Sequence, residues 1–376
     1  MVGERTTQQP VRPSQPGIAG YKETLLSKHH QLARVALGCA LLAGALGSAT
    51  AAEQKICVYD IVGASGDVYN LAKDYAVAMQ KAGASITLKA YTDERVATED
   101  FRTGQCDGVI ATGLRTRQFN ALAGSIDSLG STTIIRNGNV DLPGSYEVVR
   151  KVIETFTSPK AGKLMVEGNY EVGGIVPMGA AFPIVNDRKI NSVEALAGKR
   201  IAAFDHDKAQ AAMIQRIGAQ PVSADVTNFG SKFNNGAVDM IAAPALAYKP
   251  LELYKGIGTK GAMAEFPVLI LTYQVVLNKT KFPDGFGEKS REYWLSQFDR
   301  AMKLVKSAES SIPKSAWNNL TPDANVKYTL MLRESRIALA EQGFYNKQGL
   351  KIIKRVRCSV NPADSECSNQ AELDWK

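Results

Sequence analysis

The chain has 376 residues, with 45 Lys and Arg against 37 Asp and Glu, so its formal net charge is +8. That length exceeds what a single hydrophobic core usually organises, and two lobes are expected. The basic residues are spread along the chain and form no runs with aromatic residues, which argues against nucleic acid as a partner.

The amino-terminal segment has the three-part layout of a secretory signal peptide. Basic residues at 28–34 precede the apolar run VALGCALLAGAL, and the small residues GSATAA follow it. We expect cleavage near Ala52 or Glu53, so that residues 1–52 are leader and signal peptide. The 12-residue apolar run is too short for a membrane-spanning helix, which needs about 20 residues. A lipoprotein signal with Cys39 as the acylated residue is the alternative.

An exported chain of this kind would enter the oxidising periplasm, and its cysteines fit that compartment. Cys57, Cys106, Cys358 and Cys367 follow residue 52, and an even number favours two disulfides. Their spacing favours a Cys57–Cys106 bridge and a local Cys358–Cys367 loop. Zinc is the competing use, but no pair has C-x-x-C spacing and His is scarce, so we predict no metal.

Strand and helix patterns alternate from residue 55 to residue 113. The predicted strands are KICVYDIVG (55–63), SITLKAYT (85–92) and CDGVIATG (106–113). VYNLAKDYAVAMQKAG (68–83) has apolar residues at helical spacing and ends in a glycine. This alternation predicts parallel strands joined by right-handed crossovers, as in α/β proteins.

The same order returns in the second half of the chain. The predicted strands there are KRIAAFD (199–205), AQPVSA (219–224) and VDMIAAP (238–244). The helices between them are DKAQAAMIQRIG (207–218) and NFGSKFNNG (228–236), and each ends in a glycine.

Two segments 132 residues apart share a pattern within this order. FRTGQCDGVIATGL (101–114) and FNNGAVDMIAAPAL (233–246) have Phe, Gly and Asp at the same offsets. Gly104 and Gly236 are placed to end a helix in the left-handed conformation. Asp107 and Asp239 then stand at the start of a strand. The repeat predicts two similarly built lobes, although three matching positions could also arise by chance.

A longer stretch resembles a known family. RKINSVEALAGKRIAAF, RIGAQPV and NGAVDM follow the order and spacing of a motif found in the periplasmic solute-binding proteins of tripartite ATP-independent periplasmic (TRAP) transporters. The resemblance covers most of residues 55–345. It is closer still to the AdeT-like solute-binding proteins, some of which are associated with drug efflux.

The resemblance implies an α/β fold of the two-lobe periplasmic-binding-protein class, type II-like, with a ligand cleft between the lobes. Lobe 1 would comprise residues 53–172 and about 275–376, and lobe 2 residues 173–274. A long strand within 265–282 would return to the first lobe, and hinges would lie near 172–179 and 269–274. Helices near 287–307 and 322–342 would brace the outside. Membrane permease subunits are the implied partners.

Two positions depart from the family pattern. TRAP proteins usually carry an arginine that binds the ligand carboxylate through two hydrogen bonds, and Ala202 stands at that position here. A second arginine, found in the sialic-acid-binding branch, aligns more loosely with Phe182. The cleft therefore lacks the usual partners of a carboxylate.

Ligands in open α/β sheets bind beyond the carboxyl ends of the strands, which selects the candidate contacts. The candidates are Asp60, Arg115, Phe204, Asp205, His206, Pro244 and Tyr248, with Phe182 and Ala202 from the family alignment. Asp60 could instead cap the turn that follows it, Asp205 could cap the following helix, and Arg115 could pair with a surface acid. With Asp60 and Asp205 at facing strand ends, we expect a neutral or cationic solute, unless Arg115 restores an anion site.

Enzyme classes fit the sequence poorly. DIVGASGD (60–67) resembles the start of a dinucleotide-binding fingerprint, but Tyr69 replaces its third glycine. No G-x-S-x-G elbow occurs, and His206 is the one histidine after residue 52. We predict a monomeric, non-enzymatic periplasmic solute-binding protein without a cofactor. An accessory protein of a drug-efflux system and a protein-partner binding module are the alternatives.

Overall fold

The computed structural model describes residues 53–375, so the predicted signal peptide, its cleavage site and Cys39 lie outside the described residues. The strands are β1 Glu53–Tyr59, β2 Ser85–Tyr91, β3 Gly108–Thr112, β4 Ile135–Arg136, β5 Asn139–Val140, β6 Val166–Glu167, β7 Tyr170–Val185, β8 Arg200–Phe204, β9 Gln220–Ala224, β10 Met240–Pro244, β11 Ala262–Ala264, β12 Leu269–Asn278 and β13 Trp317–Asn318. The helices are α1 Asp67–Met79, α2 Glu94–Arg102, α3 Gly113–Thr116, α4 Leu142–Thr157, α5 Lys208–Arg216, α6 Phe229–Asn234, α7 Ala245–Tyr248, α8 Tyr254–Ile257, α9 Phe286–Ser296, α10 Phe298–Ser310, α11 Pro322–Glu341 and α12 Lys347–Val360. Every strand and helix predicted in the two alternating segments is present.

One mixed sheet runs through the molecule in the order β2-β1-β3-β12-β7-β10-β8-β9. β1 pairs in parallel with β2 and β3, and β8 pairs in parallel with β9 and β10. The antiparallel strands β12 and β7 lie between these two sets. We use "first lobe" for β1–β3 with α1–α3, and "second lobe" for β8–β10 with α5–α7.

The two central strands belong to both lobes. β12 pairs with β3 of the first lobe, whereas the end of β7, residues 181–185, pairs with β10 of the second. β7 has 16 residues, and at about 3.3 Å per residue it is long enough to cross both lobes. Because these strands continue from one lobe into the other, the lobe boundaries given above stay predictions.

The two repeated junctions have the same structure in both lobes. Gly104 and Gly236 have φ of 81° and 71°, and the N–H that follows each glycine donates to the carbonyl five residues before it. This is the Schellman arrangement at a helix end, which requires the left-handed conformation that glycine adopts without penalty. The predicted role of both glycines is confirmed.

The aspartates of the repeat join neighbouring strands. Asp107 accepts a hydrogen bond from the Lys55 N–H at 2.9 Å, and Asp239 accepts one from the Arg200 N–H at 2.9 Å. Lys55 lies in β1 and Arg200 in β8, so each aspartate fixes the start of its strand against the parallel neighbour. The prediction of two similarly built lobes is confirmed by this shared detail.

Both predicted disulfides are present. Cys57 in β1 and Cys106 just before β3 have Cα atoms 5.9 Å apart, which the pairing of these two strands allows. Cys358 and Cys367 have Cα atoms 5.6 Å apart and close a loop after α12. Among residues 53–375, no cluster of three or more His, Cys, Asp or Glu side chains could hold a metal ion.

The central strands are irregular where the sequence predicts hinges. The register between β7 and β12 shifts between Leu271 and Thr272, and again between Val275 and Val276. Gly179, opposite Leu271, has φ of 109°, a conformation in which other residues are strained. Such bulges bend a strand locally, so both irregular points are suited to a change in the angle between the lobes.

The outer helices differ from the prediction in one respect. The predicted helix near 287–307 is two helices, α9 and α10, which meet at Gln297. Trp294 of α9 is fully buried, and a β-carbon at Gly174 would come within 2.2 Å of its ring. α11 covers the predicted range 322–342 as one helix.

No helix within residues 53–375 is long and apolar enough to cross a membrane.

Candidate functional site

Side chains of the two lobes meet beyond the carboxyl ends of the strands. Glu94, the first residue of α2, has its Oε1 3.8 Å from Arg115 Nε and 4.0 Å from His206 Nε2. Arg115 lies in α3 directly after β3, and His206 follows β8. We call Glu94, Arg115 and His206 the cleft cluster. It combines two candidates found from the sequence with one that the sequence analysis did not select.

Glu94 offers a buried hydrogen-bond acceptor. Its side chain has no exposed surface, and its Oε2 accepts hydrogen bonds from the Thr112 hydroxyl at 2.7 Å and the Thr112 N–H at 3.3 Å. Its Oε1 has no hydrogen-bond partner among the described residues. Burial raises the pKa of Glu94, while the charge of Arg115 and the two bonds from Thr112 act in the opposite direction.

Arg115 offers hydrogen-bond donors. It is 9% exposed, and its guanidinium donates no hydrogen bond to any side chain or carbonyl in residues 53–375. Burial lowers the pKa of Arg115 and Glu94 opposes that effect, but an arginine keeps its charge in proteins. A buried guanidinium with unused donors is suited to an anionic partner, since its planar fork binds carboxylates through two hydrogen bonds.

His206 forms the aromatic side of the cluster. Its ring is stacked on Phe204 at a centroid distance of 5.7 Å, and neither ring nitrogen has a hydrogen-bond partner in the described part of the chain. Burial, together with the charges of Arg115 and Arg117, lowers the pKa of His206 to about 3. At neutral pH the ring is therefore uncharged and offers one donor and one acceptor.

A second contact joins the lobes next to the cluster. Arg117, which follows α3, has its Nη1 3.8 Å from Asp207 Oδ1. The Arg117 guanidinium donates to the carbonyls of Gly124 and Asp127 and lies over the Tyr345 ring at 4.9 Å. Asp207 caps α5 by accepting the Gln210 N–H at 3.1 Å. The first lobe thus presents a fixed cation to a fixed carboxylate of the second.

Asp60 has a structural role. It is 3% exposed and accepts hydrogen bonds from the N–H groups of Val62 at 3.0 Å, Val68 at 2.9 Å and Tyr69 at 3.2 Å. The Val62 N–H lies in the turn after β1, as the structural alternative for Asp60 expected, and the other two belong to the first turn of α1, so Asp60 holds both the turn and the start of that helix.

Asp205 neither caps a helix nor contacts the cleft cluster. It is exposed and accepts a hydrogen bond from the Ser223 hydroxyl, while Asp207 caps α5. The expectation of a neutral or cationic solute rested on Asp60 and Asp205 at facing strand ends. Asp60 already accepts hydrogen bonds from three backbone N–H groups, and Asp205 is bonded to the neighbouring strand. Neither residue therefore supports the expectation of a neutral or cationic solute.

The remaining candidates are buried, three in the second lobe and Phe182 in the central strand β7 beside it. Phe182 meets the Trp317 ring edge-on at 5.0 Å, and Tyr248 packs against Tyr254 at 6.2 Å. Ala202 is buried in β8, and Pro244 is buried where β10 ends. These four side chains are not part of the cleft cluster.

Sequence reasoning missed Glu94, Arg117 and Asp207. The sequence does contain a signal for Glu94, because this residue comes shortly after the predicted strand SITLKAYT. The same rule that selected the other strand ends would have included it. Arg117 is two residues beyond the candidate Arg115 and Asp207 directly follows the candidate His206, but only the folded structure pairs them.

Comparison with known proteins places the chain in a family. The family model for solute-binding protein AdeT 1/2 matches residues 75–372. The chain belongs to this family of solute-binding proteins. Probable solute-binding protein AdeT1 of Acinetobacter baumannii is 43% identical over 311 residues, which are 83% of this chain and 99% of that protein. Probable solute-binding protein AdeT2 of the same organism is 25% identical over 239 residues, 64% of this chain and 98% of that protein.

Solved structures of TRAP periplasmic solute-binding proteins share the fold. The protein of Desulfovibrio salexigens, with bound orotic acid, has a TM-score of 0.63 and 13% identity, and covers 82% of this chain and 99% of its own. The protein of Chromohalobacter salexigens, with bound D-glucuronate, has a TM-score of 0.61 and 11% identity, and covers 83% and 100%. The expected two-lobe periplasmic-binding fold is confirmed.

Ala202 and Phe182 stand at the two positions where TRAP proteins can carry arginines. In this member of the AdeT 1/2 family both side chains are buried: Ala202 is 4% exposed and Phe182 is 1% exposed. Arg115, from the other lobe, is the arginine that faces the cleft with unused donors.

Proposed function

We propose that this chain captures a small solute reversibly between its two lobes, and that the cleft cluster supplies the polar contacts. One observation carries the proposal. Glu94 Oε1, Arg115 Nε and both nitrogens of His206 are buried without hydrogen-bond partners among the described residues, and they come from both lobes. Since buried polar groups in folded proteins are almost always hydrogen-bonded, such a group of unpaired atoms at one site suits a bound solute.

The chemistry of the cluster favours a particular kind of solute. Arg115 supplies a positive charge and donors, and Glu94 supplies an acceptor 3.8 Å away. A carboxylate with a hydroxyl or ammonium group beside it satisfies both residues at once. The ligands bound in related structures, orotic acid, pyroglutamic acid and D-glucuronate, are carboxylic acids. This replaces the neutral or cationic solute expected from the sequence.

The proposed setting is the periplasm, after removal of residues 1–52. Two disulfides within residues 57–367 suit an oxidising compartment. There the protein would deliver its solute to membrane permease subunits of a TRAP-like system or to a sensor. We expect binding without chemistry; within residues 53–375, neither His206 nitrogen is hydrogen-bonded to a hydroxyl or thiol.

Calorimetry on the chain without its signal peptide tests the proposal. L-lactate and D-glucuronate represent hydroxy acids, and putrescine and cadaverine, which carry no carboxylate, represent amines. We expect heat from a hydroxy acid and none from putrescine. Arg115→Ala should weaken acid binding at least 30-fold, because truncating a buried charge contact costs about 2 kcal/mol or more.

Arg102→Ala is the matched control. Arg102 is exposed and pairs with Glu99 on the outside of α2, so its removal should leave the affinity unchanged. Acid binding that is equally tight in Arg115→Ala, or binding of amines alone, would contradict the proposed site. Mass spectrometry of small molecules released from protein purified from its native periplasm would identify the natural solute.

A further inference from the structure

An apolar cavity of about 50 Å³ is lined in part by the chain neighbours of two cleft-cluster residues. Its wall includes Leu114, Asp207, Met213, Leu269, Met331 and Tyr345. Leu114 directly precedes Arg115, and Asp207 directly follows His206. The two segments that carry the cleft cluster therefore also form part of the cavity wall.

The cavity is built from both lobes. Leu114 comes from α3 of the first lobe, Met213 from α5 of the second, and Leu269 from the central strand β12. Tyr345, on whose ring Arg117 lies, completes the side next to the cross-lobe contact. Closure of the lobes on a solute would thus bring these apolar walls together at the same moment as the polar cluster.

We infer that this cavity receives a short apolar substituent of the solute whose polar head binds the cleft cluster. The inference rests on the proposed function and narrows its solute class to small carboxylates with a compact alkyl side, in place of fully polar sugar acids. Protein interiors leave few voids larger than a water molecule, so an apolar cavity at the cleft calls for an occupant.

The size and lining of the cavity set the size of that substituent. Engineered apolar cavities of roughly 150 Å³ stay dry and bind benzene, so one near 50 Å³ suits a group of about two or three carbon atoms. Met213, Met240 and Met331 line it, and methionine side chains adapt readily to occupants of different shape.

A series of 2-hydroxy acids tests the inference by calorimetry: glycolate, lactate, 2-hydroxybutyrate, 2-hydroxyisovalerate and 2-hydroxyoctanoate. The dissociation constant should fall about four-fold for each added carbon up to 2-hydroxyisovalerate, since a buried methylene contributes about 0.8 kcal/mol. It should rise again for 2-hydroxyoctanoate, which exceeds the cavity. Equal affinity along the series would overturn the inference.

Two variants change the cavity in opposite directions. Ala242→Leu, at a position that lines the cavity, should weaken 2-hydroxyisovalerate at least ten-fold and leave glycolate unaffected. Met213→Ala should move the best chain length to a longer acid. Ala237→Leu, the same change at an exposed position of the second lobe, is the control and should alter neither value. An optimum that stays fixed in a folded Met213→Ala protein would contradict an occupied cavity.

NMR spectroscopy with methyl-labelled methionine distinguishes a failure of this inference from a failure of the proposed function. On addition of 2-hydroxyisovalerate, the NMR signals of Met213, Met240 and Met331 should shift. Those of Met79, Met165 and Met263, which do not line the cavity, should stay in place. Acids that bind without moving the three signals overturn the cavity and leave the proposed function standing. Failure of every acid to bind overturns the proposed function itself.

Discussion

Asp60 and Asp205 occupy equivalent positions at the ends of β1 and β8, yet they differ in what they stabilise. Asp60 is buried and accepts hydrogen bonds from one N–H group in the turn after β1 and two at the start of α1, whereas Asp205 is exposed and bonds one hydroxyl. Asp60→Ala should lower the free energy of unfolding by about 1–3 kcal/mol, because capped N–H groups lose their acceptor inside the protein. Asp205→Ala, its matched control, should change it by less than about 0.5 kcal/mol. Urea denaturation measures both, and equal losses would contradict the assignment.

Asp127 should make stability depend on pH. It is fully buried, and its two oxygens accept hydrogen bonds from the Thr272 N–H at 2.9 Å and the Thr272 hydroxyl at 2.6 Å. Burial raises the pKa of Asp127 to about 7, although Thr272 and Arg117 act in the opposite direction. An unfolded aspartate titrates near 3.9, so between about pH 4 and pH 7 the folded chain holds a proton that the unfolded chain lacks.

The sign of the effect follows from that difference in bound protons. The contribution of Asp127 to stability is fully present below about pH 4 and is lost as the pH rises through 7, by up to about 1.4 kcal/mol per pH unit. Asp127→Asn resembles the protonated form and does not titrate. Urea denaturation at several pH values should therefore show wild type losing stability relative to Asp127→Asn as the pH rises. A difference that stays constant with pH would show that Asp127 does not titrate in this window.

These residues also show what a sequence can tell about a site. The rule that ligands bind at strand ends found Arg115 and His206, because that rule follows from the topology of parallel sheets. It could not separate ligand contacts from caps, since both use an acidic residue after a strand. Burial and hydrogen-bond partners decide between the two roles, and both depend on neighbours that are distant in sequence.

At the scale of elements, the C-terminal segment after α12 is fixed by buried charges. Arg336 of α11 donates to Glu366 at 2.9 Å and to Glu372 at 2.7 Å, and Arg357 of α12 also contacts Glu366. Both arginines donate in addition to the carbonyls of residues 129–130. All four side chains are almost fully buried. The segment therefore ties the outer helices to a loop of the first half of the chain.

Glu366→Gln should destabilise the protein strongly. The change leaves two buried guanidinium groups with one carboxylate fewer, which costs about 3–5 kcal/mol in buried pairs. Burial by itself would raise the pKa of Glu366, but Arg357 and Arg336 lower it to about 2. Its contribution is thus present above about pH 4 and is lost only as the pH falls through 2.

Glu341→Gln provides the matched control for that variant. Glu341 forms an exposed pair with Lys347, and such pairs contribute less than about 1 kcal/mol. Thermal and urea denaturation at pH 7 should show a large loss for Glu366→Gln and almost none for Glu341→Gln. A small loss in both variants would mean that the buried network is dispensable.

The elements differ in how far local sequence defines them. The strands and the longer helices of both lobes were predictable because apolar periodicity and terminal glycines mark them, whereas the four-residue helices α3 and α7 were not predicted. The break between α9 and α10 was not, since neither Gly nor Pro stands at residues 296–298. The continuity of β7 through both lobes was also hidden, because its pairing partners are four separate strands, β6, β10, β11 and β12.

At the scale of the whole molecule, closure should depend on the contact between Arg117 and Asp207. Arg117 is held in place by two backbone carbonyls and the Tyr345 ring, so it meets Asp207 without further ordering when the lobes close. A contact present in the closed form and absent in the open form shifts the balance towards closure and slows release of the solute.

Asp207→Asn isolates the charge of this contact, because asparagine caps a helix as well as aspartate does and α5 keeps its start. We expect unchanged thermal stability, an unchanged association rate and a dissociation rate about five-fold faster, which corresponds to roughly 1 kcal/mol. Stopped-flow binding of 2-hydroxyisovalerate measures both rates, and small-angle scattering should show less compaction at the same solute concentration. Asp141→Asn is the matched control, since Asp141 also caps a helix, α4, and pairs with an arginine, Arg136, which is only five residues away in the chain. If Asp141→Asn releases the solute as fast as Asp207→Asn, or if neither differs from wild type, the contact between the lobes does not hold the closed form.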